Sequence, residues 1–292
     1  MPNLKEVRSR IVSVNSTQQI TKAMKMVSAA KLRRAQNAIQ ALRPYANKLR
    51  SILANLSSEM EEGDGGQFAK VRPVEKVMIV SVCSNRGLAG AFNTNIMRAI
   101  NTLLVGEYNE QMKAGNVKIL CIGKKSSDFY SKNPKVYLGQ HNDIYNDLTF
   151  INTAKIAESI MADFAAAKYD RVIVVYNEFK NAAVQFVINE QLLPLQPPAA
   201  TESKQKNDYI YEPSQSEIVL DLIPKSVKTQ LFKALLDSQA SEHGARMTAM
   251  NKATDNAGEL LKDLRLSYNK ARQAAITNEI LEIVAGAEAL NG

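Results

Sequence analysis

The sequence contains few of the residues that commonly carry chemistry or cross a membrane. Its 292 residues include no tryptophan, two cysteines and two histidines. No run of about 18 apolar residues occurs, which argues against a membrane-spanning helix. Neither His141 nor His243 lies at metal-ligand spacing from a cysteine or another histidine, and no Ser/His/Asp set or paired carboxylates stand out. We therefore expect no catalytic residues, no metal and no cofactor, and we expect both histidines at the surface.

Glycine and proline are also scarce at the two ends of the chain. Residues 3–57 contain no glycine and only Pro44, and the last proline is Pro224, about 68 residues before the C-terminus. Apolar residues recur there at steps of three and four, which indicates helices with one apolar stripe. Such helices exceed the roughly 8 to 20 residues of an ordinary globular helix, so they need a partner. Because the chain must return to where it began, residues 4–57 and 214–288 are predicted to pair as an antiparallel coiled coil.

The apolar stripes of both predicted helices are thin and partly polar. Residues 4–14 follow a heptad step, but the next two heptad positions are Gln18 and Thr21. We expect a stutter there that weakens strict coiled-coil packing, with the stripe resuming in a shifted phase. The shifted stripe comprises Ile20, Ala23, Met24, Val27 and Ala30. The stripe of the C-terminal helix comprises Ala253, Ala257, Leu260, Leu264, Tyr268, Ala271 and Ala275.

The middle of the chain changes from a helical period to short, continuous apolar runs. Buried strands are predicted at 76–83, 117–123 and 171–176, and an antiparallel edge strand at 183–188. Helical segments separate the first three strands. Continuous apolar strands that alternate with helices indicate a parallel α/β sheet covered on both faces.

The predicted fold class is therefore α/β: a long antiparallel coiled coil of N- and C-terminal helices with an inserted Rossmann-like α/β domain. The predicted divisions are residues 1–58 for the N-terminal helix, 74–195 for the α/β domain and 209–292 for the C-terminal helix. Cys83 and Cys121 fall inside strands. We expect both to be buried free thiols and not a disulfide.

Basic charge is concentrated at the N-terminal end. Residues 1–58 hold eleven Lys/Arg and one acidic residue, Glu6, whereas residues 214–292 hold nine Lys/Arg against ten Asp/Glu. The basic side chains could form a solvated face or a track for acidic partners. Nucleic acid is less favoured, because residues 1–43 contain no aromatic side chain and no zinc spacing occurs. A coiled-coil nucleic-acid adaptor stays open as one alternative.

The turn after the first predicted strand, residues 84–90, resembles a phosphate-binding turn of a nucleotide fold. It lacks both the G-x-G-x-x-G pattern and the Walker pattern G-x-x-x-x-G-K-[ST]. A tight strand-to-helix turn that needs glycine φ values is favoured over a nucleotide site. A Rossmann-like nucleotide-dependent enzyme with helical extensions stays open as the second alternative.

Motifs near both ends of the chain carry a family resemblance. The stretches SVNSTQQITKAMKMV at 13–27 and YNKARQAAITNEILEIVAGA at 268–287 resemble the gamma subunit of F-type ATP synthases. Shorter stretches at 208–213, 241–242, 245–247 and 253–256, and the Arg-Gly-Leu turn at 86–88, are similar to the same family. The resemblance covers nearly the whole chain, and its end motifs are specific.

The resemblance implies a non-catalytic rotor subunit of the central stalk. In that family the two long helices form an asymmetric shaft inside a hexamer of three alpha and three beta subunits. The α/β domain is the foot that binds epsilon and sits on the c-ring of the membrane sector. The implied function is to transmit rotation of the c-ring to the nucleotide sites on beta for ATP synthesis or hydrolysis, and to regulate ATPase activity and proton flow.

The resemblance also implies contact residues and a location. The residues implied to contact beta are Met24, Lys25, Arg272, Gln273 and Thr277. The residues implied to contact the c-ring are Tyr209, Tyr211 and Glu212. On a helix, Arg272, Gln273 and Thr277 fall within about 140° of one another, so one partner loop could touch all three. No cofactor or nucleic acid is implied. The chain, of a bacterial type because it lacks a presequence, is expected as a peripheral protein at the cytoplasmic face of the plasma (inner) membrane, which it touches only through the c-ring.

Overall fold

The computed structural model describes residues 4–58, 67–68, 70–195 and 215–291. The chain separates into two compact units: a helical unit up to Ser28 and from Met247 onward, and an α/β unit spanning Ala29–Arg246. The helices are α1 (Leu4–Ser58), α2 (Phe92–Val105), α3 (Asn109–Lys113), α4 (Lys124–Tyr130), α5 (Phe150–Ala165) and α6 (Gln215–Asn291), with a 3₁₀ helix at Asn142–Asn146. The strands are β1 (Val77–Val82), β2 (Val117–Ile122), β3 (Tyr137–Gln140), β4 (Arg171–Phe179) and β5 (Gln185–Leu193). Among the described helices, none combines the length and apolarity needed to cross a membrane.

The α/β unit contains one five-stranded sheet in the order β3-β2-β1-β4-β5. Strand β1 pairs in parallel with both β2 and β4, so that Ile79 lies opposite Ile119 and Ile173. Strand β5 pairs antiparallel with β4 at the edge. The three buried strands and the antiparallel edge strand predicted from the sequence are confirmed.

Both faces of the sheet are covered, which explains why its central strands are apolar at successive positions. One face packs on α5 and α6, with Val80 and Val82 in the same buried cluster as Ile160 and Leu231. The other face packs mainly on α2, through a second buried cluster. That cluster includes Val77, Ile79, Phe92, Ile96, Ile100 and Leu104. The expectation of buried free thiols is confirmed for Cys83 and Cys121, and burial raises the pKa of the Cys83 thiol to about 12.

In the helical unit, α1 keeps one heptad phase along its buried side. The buried and half-buried residues in that phase are Leu4, Val7, Ile11, Val14, Gln18, Thr21, Lys25 and Ser28. The predicted stutter is therefore wrong, and Ile20 and Val27 are 59% and 57% exposed. The line of buried residues where α1 and α6 pack together is here called the seam. Polar residues are tolerated in the seam because they form hydrogen bonds there. Thr254 Oγ1 donates to Thr21 Oγ1 over 2.8 Å, and Thr21 Oγ1 donates to the Gln18 carbonyl oxygen over 3.0 Å.

The seam of α6 in this unit passes through Leu261 and not, as predicted, through Leu260. The exposed fraction is 5% for Leu261 and 47% for Leu260. Steps of four, three and four from Met250 lead through Thr254 and Ala257 to Leu261. The sequence offers two adjacent leucines, and the packing of Thr254 against α1 selects the phase that buries the second. The other members of the predicted stripe are buried or half-buried: Ala253, Ala257, Leu264, Tyr268, Ala271 and Ala275.

Candidate functional site

The first candidate contact region lies on α1 within the helical unit. Met24 and Lys25 are half-buried, and the Lys25 ammonium donates to Asn251 Oδ1 on α6. The sequence missed the apolar side chains that face outward here, because it assigned two of them to the seam. Val12, Ile20, Met26 and Val27 are 57–62% exposed. This outward apolar strip makes the region a candidate surface for contact with another molecule.

The second candidate region is the C-terminal part of α6. Arg272, Gln273 and Thr277 are all exposed, as expected for residues that are not core. The Thr277 hydroxyl donates to the Gln273 carbonyl oxygen over 2.9 Å, so the structure brings these two together within one helical turn. The following residues are apolar and exposed, and sequence reasoning did not assign them a role. They are Ile276 at 47%, Ile280 at 54%, Leu281 at 60%, Ile283 at 70% and Val284 at 50%.

The predicted c-ring contact residues, Tyr209, Tyr211 and Glu212, lie outside the described residues. In the residues that the structure does describe, no group of three or more His, Cys, Asp or Glu side chains could hold a metal ion. The basic side of α1 is largely solvated. An ion pair in its first turns, Glu6 with Arg10 over 2.9 Å, is more than half exposed and contributes at most about 1 kcal/mol.

The third candidate region is the crevice at the carboxyl ends of β1 and β4. Connections from β1 lead to β2 and β3 on one side, whereas β4 lies on the other side of β1. In doubly wound sheets, ligands bind at this topological switch point. The β1–α2 turn beside it is held by its own side chains. Ser84 Oγ donates to the Arg86 carbonyl oxygen over 2.6 Å, and the Ser84 amide donates to Asn93 Oδ1 over 2.9 Å.

The tight turn expected at 84–90 is present, and its positive φ angles fall on Leu88 at 62° and Gly90 at 57°. Glycine supplies such a φ without strain at Gly90, whereas Leu88 adopts it as a side-chain-bearing residue. A third left-handed position follows β2. Gly123 has φ 108°, and a Cβ placed on it would lie 2.0 Å from the Cys83 carbonyl oxygen. This close approach lets the carboxyl ends of β1 and β2 lie side by side.

Charged side chains of α6 enter the switch-point crevice. Arg246 and Glu242 are 7% and 8% exposed, and Arg246 Nη1 donates to Glu242 Oε1 over 2.6 Å. His243 is 9% exposed, so the prediction of a surface histidine is wrong for it. Its pKa is lowered to about 4 by burial and by the neighbouring Arg246 charge. Sequence reasoning used Glu242 and Arg246 only as part of a family motif, although their i, i+4 spacing already indicates an ion pair.

The chain thus contains a helical unit with a polar seam and a doubly wound α/β unit. In the α/β unit, side chains of α6 occupy the switch-point crevice. A family model for ATP synthase matches residues 3–290. The ATP synthase gamma chain of Christiangramia forsetii is 58% identical over 292 residues, covering 100% of both chains. That of Flavobacterium johnsoniae is 57% identical over 293 residues, again covering 100% of both.

Two solved structures are similar in fold. One is in the rotor of the Euglena gracilis mitochondrial ATP synthase, with a TM-score of 0.67 and 23% identity, covering 94% of this chain and 98% of that one. The other is in the central stalk and c-ring of the Tetrahymena thermophila mitochondrial ATP synthase. It has a TM-score of 0.59 and 24% identity, covering 80% of this chain and 99% of that one.

The chain belongs to the ATP synthase gamma chain family. The family predicted from the end motifs is thereby confirmed. Because members of this family are rotor subunits, the predicted class of protein is confirmed as well. The predicted fold class, terminal long helices around an inserted α/β domain, is confirmed as well.

Proposed function

We propose that this chain is the non-catalytic rotor subunit of the central stalk of a proton-translocating F-type ATP synthase. It transmits rotation of the c-ring to the nucleotide sites on the beta subunits, and it regulates ATPase activity and proton flow. One observation carries this proposal. Residues 276–289 of α6 are exposed throughout, although they include five large aliphatic side chains. A helix that is apolar and uncovered by its own chain needs a surrounding partner.

The proposed partners are three alpha and three beta subunits around the helices, an epsilon subunit on the α/β domain, and the c-ring. In this proposal residues 1–58 and 209–292 form the shaft, and 74–195 form the foot. Support comes from the gamma chains that match over their whole length. The membrane is contacted only through the c-ring, so the protein is peripheral at the cytoplasmic face of the bacterial inner membrane.

The physical reasoning for a rotating shaft concerns the strength of its contacts. Exposed ion pairs contribute about 0 to 1 kcal/mol each, so the basic side of α1 can guide a partner without holding it in one position. In the proposed arrangement an asymmetric shaft favours a different conformation of each beta subunit in turn. Met24 and Lys25 on α1 and the Arg272 region on α6 are the proposed beta contacts. Tyr209, Tyr211 and Glu212 are the proposed c-ring contacts.

The non-catalytic character is supported by the crevice that a nucleotide-dependent enzyme of this fold would use. Side chains of α6 occupy it, including Arg246 and Glu242. A calorimetric titration of the isolated chain with Mg·ATP separates the two classes. We expect no binding, whereas tight binding that is lost on Arg86→Ala would favour the enzyme alternative. A salt-dependent DNA shift assay tests the nucleic-acid alternative in the same way.

The proposed contact of Arg272, Gln273 and Thr277 with the beta subunits is tested with the double variant Arg272→Leu, Gln273→Leu. Both side chains are exposed, so the isolated chain should fold and the complex should assemble. Arginine offers several donors in a fixed fork. Losing it should lower ATP turnover and proton pumping by roughly tenfold, as for the loss of one charged hydrogen bond of about 1.5 kcal/mol.

A matched control is Lys132→Leu, an exposed residue of the α/β unit. It should leave turnover and pumping unchanged in membrane vesicles. Unchanged rates in a fully assembled Arg272→Leu, Gln273→Leu complex would show that these residues do not contact beta productively.

A further inference from the structure

The switch-point crevice of the α/β unit contains a segment of the chain in the place where related folds bind a ligand. Its walls are the β1–α2 turn, the end of β4 and the β4–β5 hairpin. Residues 238–246 of α6 enter between them and are buried almost without interruption, with Gln239 and Ala245 half-buried. A crevice that is open in a ligand-binding sheet is here closed by a helix of the same chain.

Backbone carbonyls on both walls accept hydrogen bonds from this segment. Arg246 Nη2 donates to the carbonyl oxygens of Arg86 over 3.1 Å and of Gly87 over 3.2 Å. On the opposite wall, Ser241 Oγ donates to the Asn177 carbonyl oxygen over 3.0 Å. The same asparagine donates through Nδ2 to the Phe92 carbonyl oxygen at the start of α2, over 3.2 Å. The two walls are therefore linked to α6 and to each other.

The helix also approaches the β4–β5 hairpin so closely that a side chain at the contact position would be crowded. A Cβ added to Gly244 would lie 3.3 Å from the Ala182 Cα and 3.3 Å from Phe179 Cε2. Glycine within a helix costs about 1 kcal/mol relative to alanine, so its presence here fits a need for close contact. The turn therefore contacts this helical segment through Arg246, and the hairpin contacts it on the other side of the helix, through Gly244.

Charge neutralisation makes this burial stable. The Arg246 guanidinium lies between Glu242 Oε1, at 2.6 Å, and the two turn carbonyls. His243 Nδ1 lies 3.5 Å from Arg246 Nη1. A lysine at 246 could keep the ion pair with Glu242, but its single ammonium could not also span two carbonyls in the planar geometry of the guanidinium.

We propose that Ser241–Arg246 acts as a built-in ligand of the switch-point crevice, and that Glu242 and Arg246 are positioning residues that clamp the α/β unit onto α6. Torque applied to the α/β unit then passes to α6 through this clamp. The mechanical part rests on the proposed rotor function, whereas the clamp itself is a property of the isolated chain. We name the residues Ser241–Arg246 with the turn 84–90 the crevice clamp.

The clamp is tested first on the full isolated chain by amide hydrogen exchange. Arg246→Lys retains the positive charge beside Glu242 but loses the guanidinium that donates hydrogen bonds to the Arg86 and Gly87 carbonyl oxygens. We expect exchange in the turn 84–90 and the start of α2 to accelerate about tenfold or more, as for the loss of charged hydrogen bonds. The matched control is Arg171→Lys, which alters an arginine bonded to Glu107 and Tyr108 inside the α/β unit. It should leave exchange in the turn unchanged. Equal exchange in the unaltered chain and Arg246→Lys would overturn the clamp.

The second test uses the assembled complex in vesicles, with Glu242→Gln, Arg246→Gln as the variant, because removing both charges leaves no unpaired charge in the crevice. ATP turnover and proton pumping are measured together. A loosened clamp lets residues 241–246 of α6 shift against the β1–α2 turn under torque, so turnover persists while protons pumped per ATP fall. Arg171→Lys should keep the unaltered ratio. If the double variant also keeps it, the torque role is overturned while the rotor function stands, since the complex still couples. If the complex containing the unaltered chain fails to couple, the rotor function is overturned as well.

Discussion

Asp237 gives the sharpest test of the packing between α6 and the sheet. Its side chain is 2% exposed, and burial raises its pKa from 3.8 to about 6. The charges that act on it come from four elements. Lys233 lies one turn earlier on α6, Glu178 is on β4, Glu190 is on β5 and Arg43 is on α1. The two cations lower the pKa of Asp237 and the two acids raise it, so burial is the main cause of the raised pKa.

The raised pKa means that the folded state binds a proton at Asp237 more tightly than the unfolded state does. The stabilisation from protonation is complete below pH 3.8 and is lost as the pH rises through about 6. At pH 7 the ionised carboxylate therefore costs folding free energy. A shift of about two units at 1.36 kcal/mol per unit amounts to roughly 3 kcal/mol. Asp237→Asn, which keeps the shape and removes the charge, should recover most of that amount.

The assay is urea unfolding of the full isolated chain at a series of pH values from 7.5 down to 4. The variant should be more stable by roughly 3 kcal/mol at pH 7.5, with an unchanged denaturant slope, and the difference should disappear near pH 4. His243 titrates alike in both proteins and cancels in the comparison. Asp221→Asn is the control, because Asp221 is exposed on the same helix and pairs with Lys225. It should change stability by no more than about 0.5 kcal/mol. Equal stability of Asp237→Asn and the unaltered chain at pH 7.5 would refute the reasoning.

Three further outcomes follow from the same structure. Thr21→Cys with Thr254→Cys should form an intramolecular disulfide under mild oxidation, seen as a mobility shift, because the two hydroxyl oxygens lie 2.8 Å apart. Gly123→Ala should destabilise the chain by about 3 kcal/mol or more in urea unfolding, because a Cβ there meets a carbonyl oxygen at 2.0 Å. His243→Gln should reduce the loss of stability on acidification from pH 6.5 to about 4, the window set by the lowered pKa of His243. The loss in the unaltered chain should be about 3 kcal/mol from this group.

Each of these has a matched control in the chain. Ile20→Cys with Thr254→Cys should remain reduced, since Ile20 points away from the seam and is 59% exposed. Gly139→Ala should be tolerated, since a Cβ at Gly139 meets nothing within 4 Å. His141→Gln changes an exposed histidine and should leave the acid stability nearly as it is. Crosslinking through Ile20, or a Gly123→Ala chain as stable as Gly139→Ala, would contradict the helix phase or the close strand approach respectively.

The helices and strands were predictable from local sequence because their patterns are strong and depend only on residues close together in the chain. The β-branched runs that form β1, β2 and β4 are too apolar for any site but the interior of a covered sheet. The terminal helices follow from long stretches in which glycine and proline are absent or widely spaced. The burial of Cys83 and Cys121 was predicted correctly for the same reason, since Cys121 lies within β2 and Cys83 directly follows β1.

Helix phase was not predictable where the seam is polar. Apolarity alone favoured Ile20 and Val27, yet Thr21 and Ser28 are the buried residues. A hydroxyl can take a seam position when a partner across the seam satisfies it, and that partner, Thr254, lies more than two hundred residues away in the sequence. The same effect selected Leu261 over Leu260.

The amino-acid sequence by itself determined the family, the long terminal helices and the covered parallel sheet, because each depends on residue types at short spacing. Only the tertiary structure decided what occupies the switch-point crevice. Glu242, His243 and Arg246 have the composition of a solvated helix face, and they are buried because α6 crosses the carboxyl ends of β1 and β4. There the charge of Arg246 meets the carbonyl oxygens of a turn about 160 residues earlier. Burial of charge depends on which distant groups neutralise it, and that is a property of the three-dimensional arrangement and not of local sequence.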